Sequence, residues 1–258
     1  EPYDSGFRTS IKVDCDVADA SPGATDGLAL MQRLEGQNVQ QLAYGDAQAK
    51  VSVVSFWHKH TKTGVNCVTI SASNGAKWAS KQYTQSVSNT WEYATVTIPA
   101  DTALAPANDT ANRLQLMFGI SVGSSYTSGS EAAWGTTNGN YFPGQVNNMD
   151  STSNNFEIAG VQWEVGSVAT DFAHEDIGTT LQKCQRYFER RDYVDAGDTI
   201  AAGVATTATV STMVLTYQEK RVAPTFGFAA ATTYRIVDKT NSVFAGSGIA
   251  AGGISPTT

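Results

Sequence analysis

A period of two in apolar and polar positions dominates the first two-thirds of the chain. Leu114, Leu116, Phe118 and Ile120 alternate with Gln115, Met117 and Gly119, and Ala94, Val96 and Ile98 alternate with Tyr93, Thr95 and Thr97. Successive side chains of a strand point to opposite faces, so each run predicts a strand with one apolar face, the second ended by Pro99. A third run alternates Ala159, Val161, Trp163 and Val165 with Gly160, Gln162 and Glu164. Val51–Trp57 is apolar on both faces, which predicts a central strand or one covered on its outer side. Further strands are predicted at Arg8–Cys15, Leu28–Arg33 and Val65–Ser71. Between them lie turn-rich stretches: Ser21-Pro-Gly, Ser73-Asn-Gly, Ala105-Pro-Ala-Asn-Asp and the polar run from Gly123 to Gly139. Many short strands joined by polar loops predict an all-β sandwich or barrel.

The pattern changes near Asp171. Ile177, Leu181, Cys184 and Phe188 fall at i, i+4, i+7 and i+11, one apolar stripe along a helix of three or four turns, with Asp176 placed to cap its N-terminus. Beyond it, a Gly/Ala/Thr-rich region carries predicted strands at Ala208–Tyr217, Thr225–Phe228, Tyr234–Val237 and Ser242–Phe244. The helix therefore reads as a joint between a large β domain over 1–172 and a smaller one over 192–258, with the linker helix itself in 173–191. The brevity of the second domain leaves open that the natural chain continues past Thr258.

Composition narrows the function classes. Only 16% of residues are charged and the formal net charge is -7, below the usual quarter and of the wrong sign for gripping phosphates. The densest basic stretch, Arg186, Arg190 and Arg191, is broken by Glu189 and Asp192 and reads as a solvated helix end, so no nucleic-acid partner is expected. The three cysteines, Cys15, Cys67 and Cys184, make neither an even disulfide framework nor a CxxC pair, and read as buried free thiols of a protein made in a reducing cytoplasm. No run of eighteen apolar residues is present, and Glu1 to Gly6 carry no apolar signal core, so no membrane insertion is expected.

Candidate chemistry is sparse. Gly119-Ile-Ser121-Val-Gly123 matches G-x-S-x-G, but a nucleophile elbow needs a helix after the serine and the sequence continues as a Ser/Gly-rich loop, so no catalytic residue is assigned. His58 and His60 share one face of a strand, yet two ligands alone fix no metal site; Asp14, Asp16 and Asp26 lack EF-hand spacing, and no metal or other cofactor is expected. Aromatic residues are more informative. Trp91 and Tyr93 lie opposite the apolar face of their strand, Trp57 faces away from Val54 and Phe56, and Trp78, Tyr83, Trp134 and Tyr141 fall in or beside polar loops. Such rings stack on the apolar faces of sugars, so Trp57, Trp78, Tyr83, Trp91, Trp134 and Tyr141 are the candidate carbohydrate-binding residues. The same rings are also what a sandwich with wide loops buries beneath them or at subunit contacts.

One string is more specific than any of these patterns. Gly160-Val-Gln-Trp-Glu-Val-Gly166, Ala169-Thr-Asp-Phe172 and Leu181-Gln-Lys-Cys-Gln-Arg-Tyr-Phe188 together resemble a signature of tail-fibre and related virion proteins of tailed phages. Weaker similarities run from Leu34-Glu-Gly-Gln-Asn-Val-Gln-Gln-Leu42 through Thr90-Trp-Glu-Tyr93 and Ala133-Trp-Gly135 to Lys220-Arg-Val-Ala-Pro-Thr225, so the resemblance covers most of residues 8 to 228. It implies an eight-stranded jelly roll like a carbohydrate-binding module, then the linker helix and a smaller β domain. It further implies a non-enzymatic virion structural protein, partnered by other virion proteins and by its own copies as a homotrimer. Two roles stay open under it: engagement of host-surface glycans by a fibre, and a purely architectural head-fibre or capsid-decoration role without a sugar site. A glycan-modifying enzyme is a minor third.

Overall fold

Nine strands in residues 11–165 are shared between two sheets: β1 Ile11–Asp14, β2 Gly27–Glu35, β3 Ser52–His60, β4 Gly64–Ala72, β5 Trp78–Gln85, β6 Glu92–Ile98, β7 Asn112–Val122, β8 Ala132–Gly135 and β9 Asn155–Val165. This is a computed structural model, and it describes residues 6–190, 203–205, 211–213, 216–225, 235–237 and 243–245. The chain divides into two units, Glu1–Ala173 and His174–Thr258.

The first unit is an antiparallel sandwich of a four-stranded sheet, ordered β1-β9-β3-β6, and a five-stranded sheet, ordered β2-β7-β4-β5-β8. Apart from short β8, the ladder pairs first strand with last and works inward: β1 with β9, β2 with β7, β3 with β6, β4 with β5. Alternate rungs fall in alternate sheets, which is the topology of a jelly roll. Val54, Phe56, Val96, Ile98, Phe156 and Ile158 from one sheet meet Val68, Ile70, Leu116, Phe118 and Ile120 from the other. Each such fully buried side chain stabilises the fold by about 1.5–3 kcal/mol. β3 satisfies both alternatives that its two-sided apolar pattern raised. It is central, flanked by β9 and β6, and its outward Val53 and Ser55 are also buried.

The alternation in β9 breaks at Gly160. Ile158 pairs with His58 on the inner side, while Val161 and Trp163 also face the core. An odd number of steps separates them, so the strand must bulge, and the register shifts between Ser55 and Trp57 on β3. Ala159 is thereby turned to the outer face opposite Trp57, away from the side its spacing predicts. Gly160 sits at φ 59°, and a Cβ there would stand 2.3 Å from the Phe7 ring.

β5 is a strand that the hydrophobic pattern misses. Its outer-facing Ser80 and Gln82 are polar because they bond the backbone of the covering loop: Ser80 Oγ donates to Asn140 O at 2.7 Å and Gln82 Nε2 to Pro143 O at 2.9 Å. That loop, residues 123–150, holds a one-turn helix α1 (Ser124–Thr127) and β8, where the sequence predicts only loop. It buries Cys67, Met117 and Val122 beneath Phe142 on the outer face of the five-stranded sheet. One end of the sandwich is closed by Val39, Leu42 and Tyr44 against Leu114.

In the second unit, α2 spans Ile177–Gln185, shorter than the stripe predicts, and ends in an overlapping turn in which Tyr187 N and Phe188 N both donate to Cys184 O. Asp176 caps it, accepting from Gly178 N at 2.8 Å and Thr179 N at 3.3 Å. Two antiparallel ladders follow, β10 (Gly203–Ala205) with β11 (Ser211–Met213) and β12 (Arg235–Val237) with β13 (Val243–Ala245). Of the predicted Ala208–Tyr217 strand, residues 211–213 form β11, Thr216 and Tyr217 are described outside any strand, and the rest lies outside the described residues, as do residues 226–228 of the predicted Thr225–Phe228 strand. Cys15 and Cys67 are buried thiols, whereas Cys184 is exposed, because the helix presents that stripe outward. Among the described residues no helix is long and apolar enough to cross a membrane.

Candidate functional site

Four of the six candidate aromatics are placed in structural roles. Trp78 and Tyr83 are only 4% and 6% exposed, because both lie on β5 rather than in a loop. Trp78 packs edge-on against Tyr141 at 4.8 Å, beneath the 123–150 loop. Tyr83 points into the core against Phe56 at 4.9 Å. Trp134 lies edge-on to Tyr44 and donates from Nε1 to Pro99 O at 2.8 Å, helping to close the end of the sandwich.

Trp57 and Tyr93 meet on the outer face of the four-stranded sheet, and Trp91, two residues before Tyr93, lies beside Lys59 of the same face. The register of β3 on β6 sets Trp57 opposite Tyr93, and the two rings stand 5.3 Å apart at 49°. Tyr93 is 50% exposed, Trp57 and Trp91 half-buried. On the other side of Trp57 is Ala159, which is buried, so the aromatic corner faces solvent on its β6 side. The neighbouring row is charged. Lys59 Nζ lies 5.3 Å from the Trp91 ring centroid and 2.9 Å from Glu157 Oε1, and Glu157 pairs in register with Lys12. Lys12 itself binds Asp14 at 2.8 Å, and Ser10 Oγ donates to Glu157 Oε2 at 3.3 Å.

The other half of the same face is closed. After Gly166, residues 167–173 run back along β9. Glu164 accepts from Thr170 N and Thr170 Oγ1, both at 2.8 Å, and Gln162 Oε1 accepts from Ala173 N at 2.8 Å. These contacts hold the Glu164 carboxyl below its ordinary pKa, chiefly through the Thr170 N–H. Phe172 packs edge-on against Phe7 at 4.9 Å. The string Gly160–Phe172 thus builds a β-bulge and a returning strap, and Trp163 within it faces inward, donating to Ser52 Oγ at 2.8 Å.

The remaining candidates gather elsewhere. His58 and His60 face the core, where His58 Nδ1 meets Gln85 Oε1 at 2.9 Å and His60 Nε2 meets the Tyr83 hydroxyl at 3.1 Å. Burial depresses both, His60 to about 3, so its ring is neutral in the fold. Gln85 in turn donates to Val87 O and Thr90 O. Glu92 closes this network, accepting from Ser86 N and Val87 N, which outweigh its burial and hold its pKa low. An open cleft of about 360 Å3 beside the start of β2 is lined by Asp14, Asp16, Asp19 and Asp26 with Cys15 and Ser121. Asp26 there accepts from Gly23 N and Asp19 from Ser21 N. Among the described residues no three His, Cys, Asp or Glu side chains converge as metal ligands. The G-x-S-x-G string owes its glycines to packing: a Cβ on Gly119 would press on Gln145 and Phe142, and one on Gly123 on the Gly23 carbonyl.

Sequence reasoning missed Tyr93, Lys59 and Glu157 as parts of the face. The signal available was parity, since Tyr93 shares the side of Trp91; the cross-strand register that joins them to Trp57 is a tertiary property. Comparison with protein-family models and with curated proteins found no match.

Proposed function

We propose that the chain is a fibre-type structural protein of a phage virion whose jelly roll engages a host-surface glycan through Trp57, Trp91 and Tyr93. The observation that carries the reading is the Trp57–Tyr93 ring pair, with Tyr93 half exposed and Trp91 beside Lys59 on the same sheet face. Aromatic faces of this kind stack on pyranose rings, and a polar neighbour such as Lys59 takes hydroxyls. The topology and the Gly160–Phe172 string are consistent with the phage-fibre resemblance. Copies of the chain, as a homotrimer, multiply weak single-site stacking into avidity. The test is binding of the full chain to intact host-type cells and a glycan array beside Trp57→Ala and Tyr93→Ala variants. Saturable binding lost in both supports the reading; binding unchanged in both, or absent from the unaltered protein, removes it.

A second reading is favoured by a separate observation. Ile177, Leu181 and Phe188 stand exposed along and just beyond α2, an apolar stripe suited to packing within an assembly. In a purely architectural virion part that stripe and the Trp57 face both meet neighbouring subunits, and no sugar binds. Light scattering separates an oligomer from a monomer, and the glycan array separates the two oligomeric readings.

A further inference from the structure

The charges around the aromatic corner narrow the chemistry of its ligand, given the glycan reading above. Lys59 is committed twice, to the Glu157 carboxylate and to the Trp91 ring face. Lys12 is held by Asp14. Arg8, just before β1, is engaged as well. Recognition of a sulfate, phosphate or carboxylate wants an uncommitted cation, preferably a bidentate guanidinium, at the edge of the stacking rings. Here each lysine already carries a carboxylate, and the whole chain has a net charge of -7 that repels polyanions at long range. The open ground continues along β6, where Thr95 and Thr97 are exposed beyond Tyr93, and both are uncharged.

We infer that the Trp57–Trp91–Tyr93 face takes an uncharged glycan segment, laid along β3 and β6, and discriminates against acidic sugars. Stacking supplies the affinity, and the Lys59 ammonium, held in place by buried Glu157, directs neutral hydroxyls at the ring edge. Because no net charge is neutralised, binding is insensitive to salt.

The experiment titrates the full chain with neutral trisaccharides of hexose and N-acetylhexosamine and with sialylated, uronic-acid and phosphorylated counterparts, in low and high salt. Tyr93→Ala, Tyr93→Phe and Lys59→Gln are compared, with each variant's thermal transition checked first. The expected result is a neutral binder whose Kd moves less than about twofold between roughly 50 and 500 mM salt, a range over which the Debye length shortens several-fold. Tyr93→Ala weakens it about tenfold, the loss of one stacking contact of about 1.4 kcal/mol, within the range such ring contacts supply. Tyr93→Phe retains it. Binding only by acidic sugars, weakening with salt and lost in Lys59→Gln, overturns the inference and leaves the glycan reading standing. A neutral binder indifferent to Tyr93→Ala places the site elsewhere and overturns it. No binder in the panel or on cells removes both.

Discussion

The outer faces of the two sheets began with similar material and were put to opposite uses. Each carries large aromatic rings amid Ser, Thr and Gln. On the five-stranded sheet, Trp78 is sealed beneath residues 123–150, and the polar side chains of β5 bond that loop's backbone. On the four-stranded sheet, the strap of residues 167–173 closes one half and stops, leaving Trp57, Trp91 and Tyr93 at the surface. A ring in a polar stretch is therefore no sign of a site by itself. What decides its role is whether the chain supplies a cover, and the length and anchoring of loops far away in sequence decide that.

This contrast is open to direct attack, and all five tryptophans lie in the first unit, so their fluorescence follows its unfolding alone. The largest effect is expected beneath the cover: Trp78→Ala lowers the unfolding free energy by about 3–5 kcal/mol in a urea titration, the usual result of emptying a buried aromatic site. A loss below about 1 kcal/mol would mean that the cover is loose and Trp78 belongs with the open set.

Acid comes next. His60 is neutral in the fold with its pKa lowered to about 3, whereas the unfolded chain takes up a proton near 6.5. A depressed pKa means that the unfolded state binds the proton first. The sandwich is thus fully stable above about pH 6.5 and loses about 1.4 kcal/mol for each pH unit below it from this ring alone. His58, depressed by the same burial, adds to the slope. Carboxylates such as Glu92 and Asp101, held low by their hydrogen bonds, contribute their own loss only at lower pH. Urea midpoints followed from pH 7 to 5 should fall steadily, and less steeply in His60→Phe; a flat profile would place both rings in contact with water.

At the strap the expected change is smaller. Gly160→Ala puts a Cβ against Phe7 at a positive φ and costs about 1–3 kcal/mol, read as a lowered urea midpoint. An unchanged midpoint would show that Phe7 moves aside freely and the strap is weakly held. Least of all is expected on the open corner. Tyr93→Ala changes stability by less than about 1 kcal/mol, as surface substitutions do, while removing ligand affinity. A large stability loss there would make the corner structural, like its counterpart on the other sheet.

Much of the sandwich is legible in sequence because alternation is a local property. β3, β6 and β7 each announce a core face through residues such as Phe56, Val96 and Phe118, and Asp176 announces the start of α2. β5 is silent since its outer positions bond a loop, and hydrogen-bonding Ser80 and Gln82 look like turn residues to any hydrophobic count. The bulge at Gly160 inverts Ala159 for a reason that lies in Phe7, about 150 residues earlier by numbering. Half of the candidate face was visible as Trp57 and Trp91. Their meeting with Tyr93 and Lys59 depends on the register of β3 against β6 and β9, which no single strand encodes.

The pairing of first strand with last has a mechanical meaning. β1 and β9 are antiparallel neighbours, so the chain arrives at the sandwich and leaves it at the same edge. Tension applied between the two ends of this unit would not be transmitted across the core. It would peel at that edge, where the Phe7–Phe172 contact clasps the two ends together and Gln162 and Glu164 hold the returning strap on β9. The clasp, rather than the hydrophobic interior, would carry a load applied between the two ends of this unit.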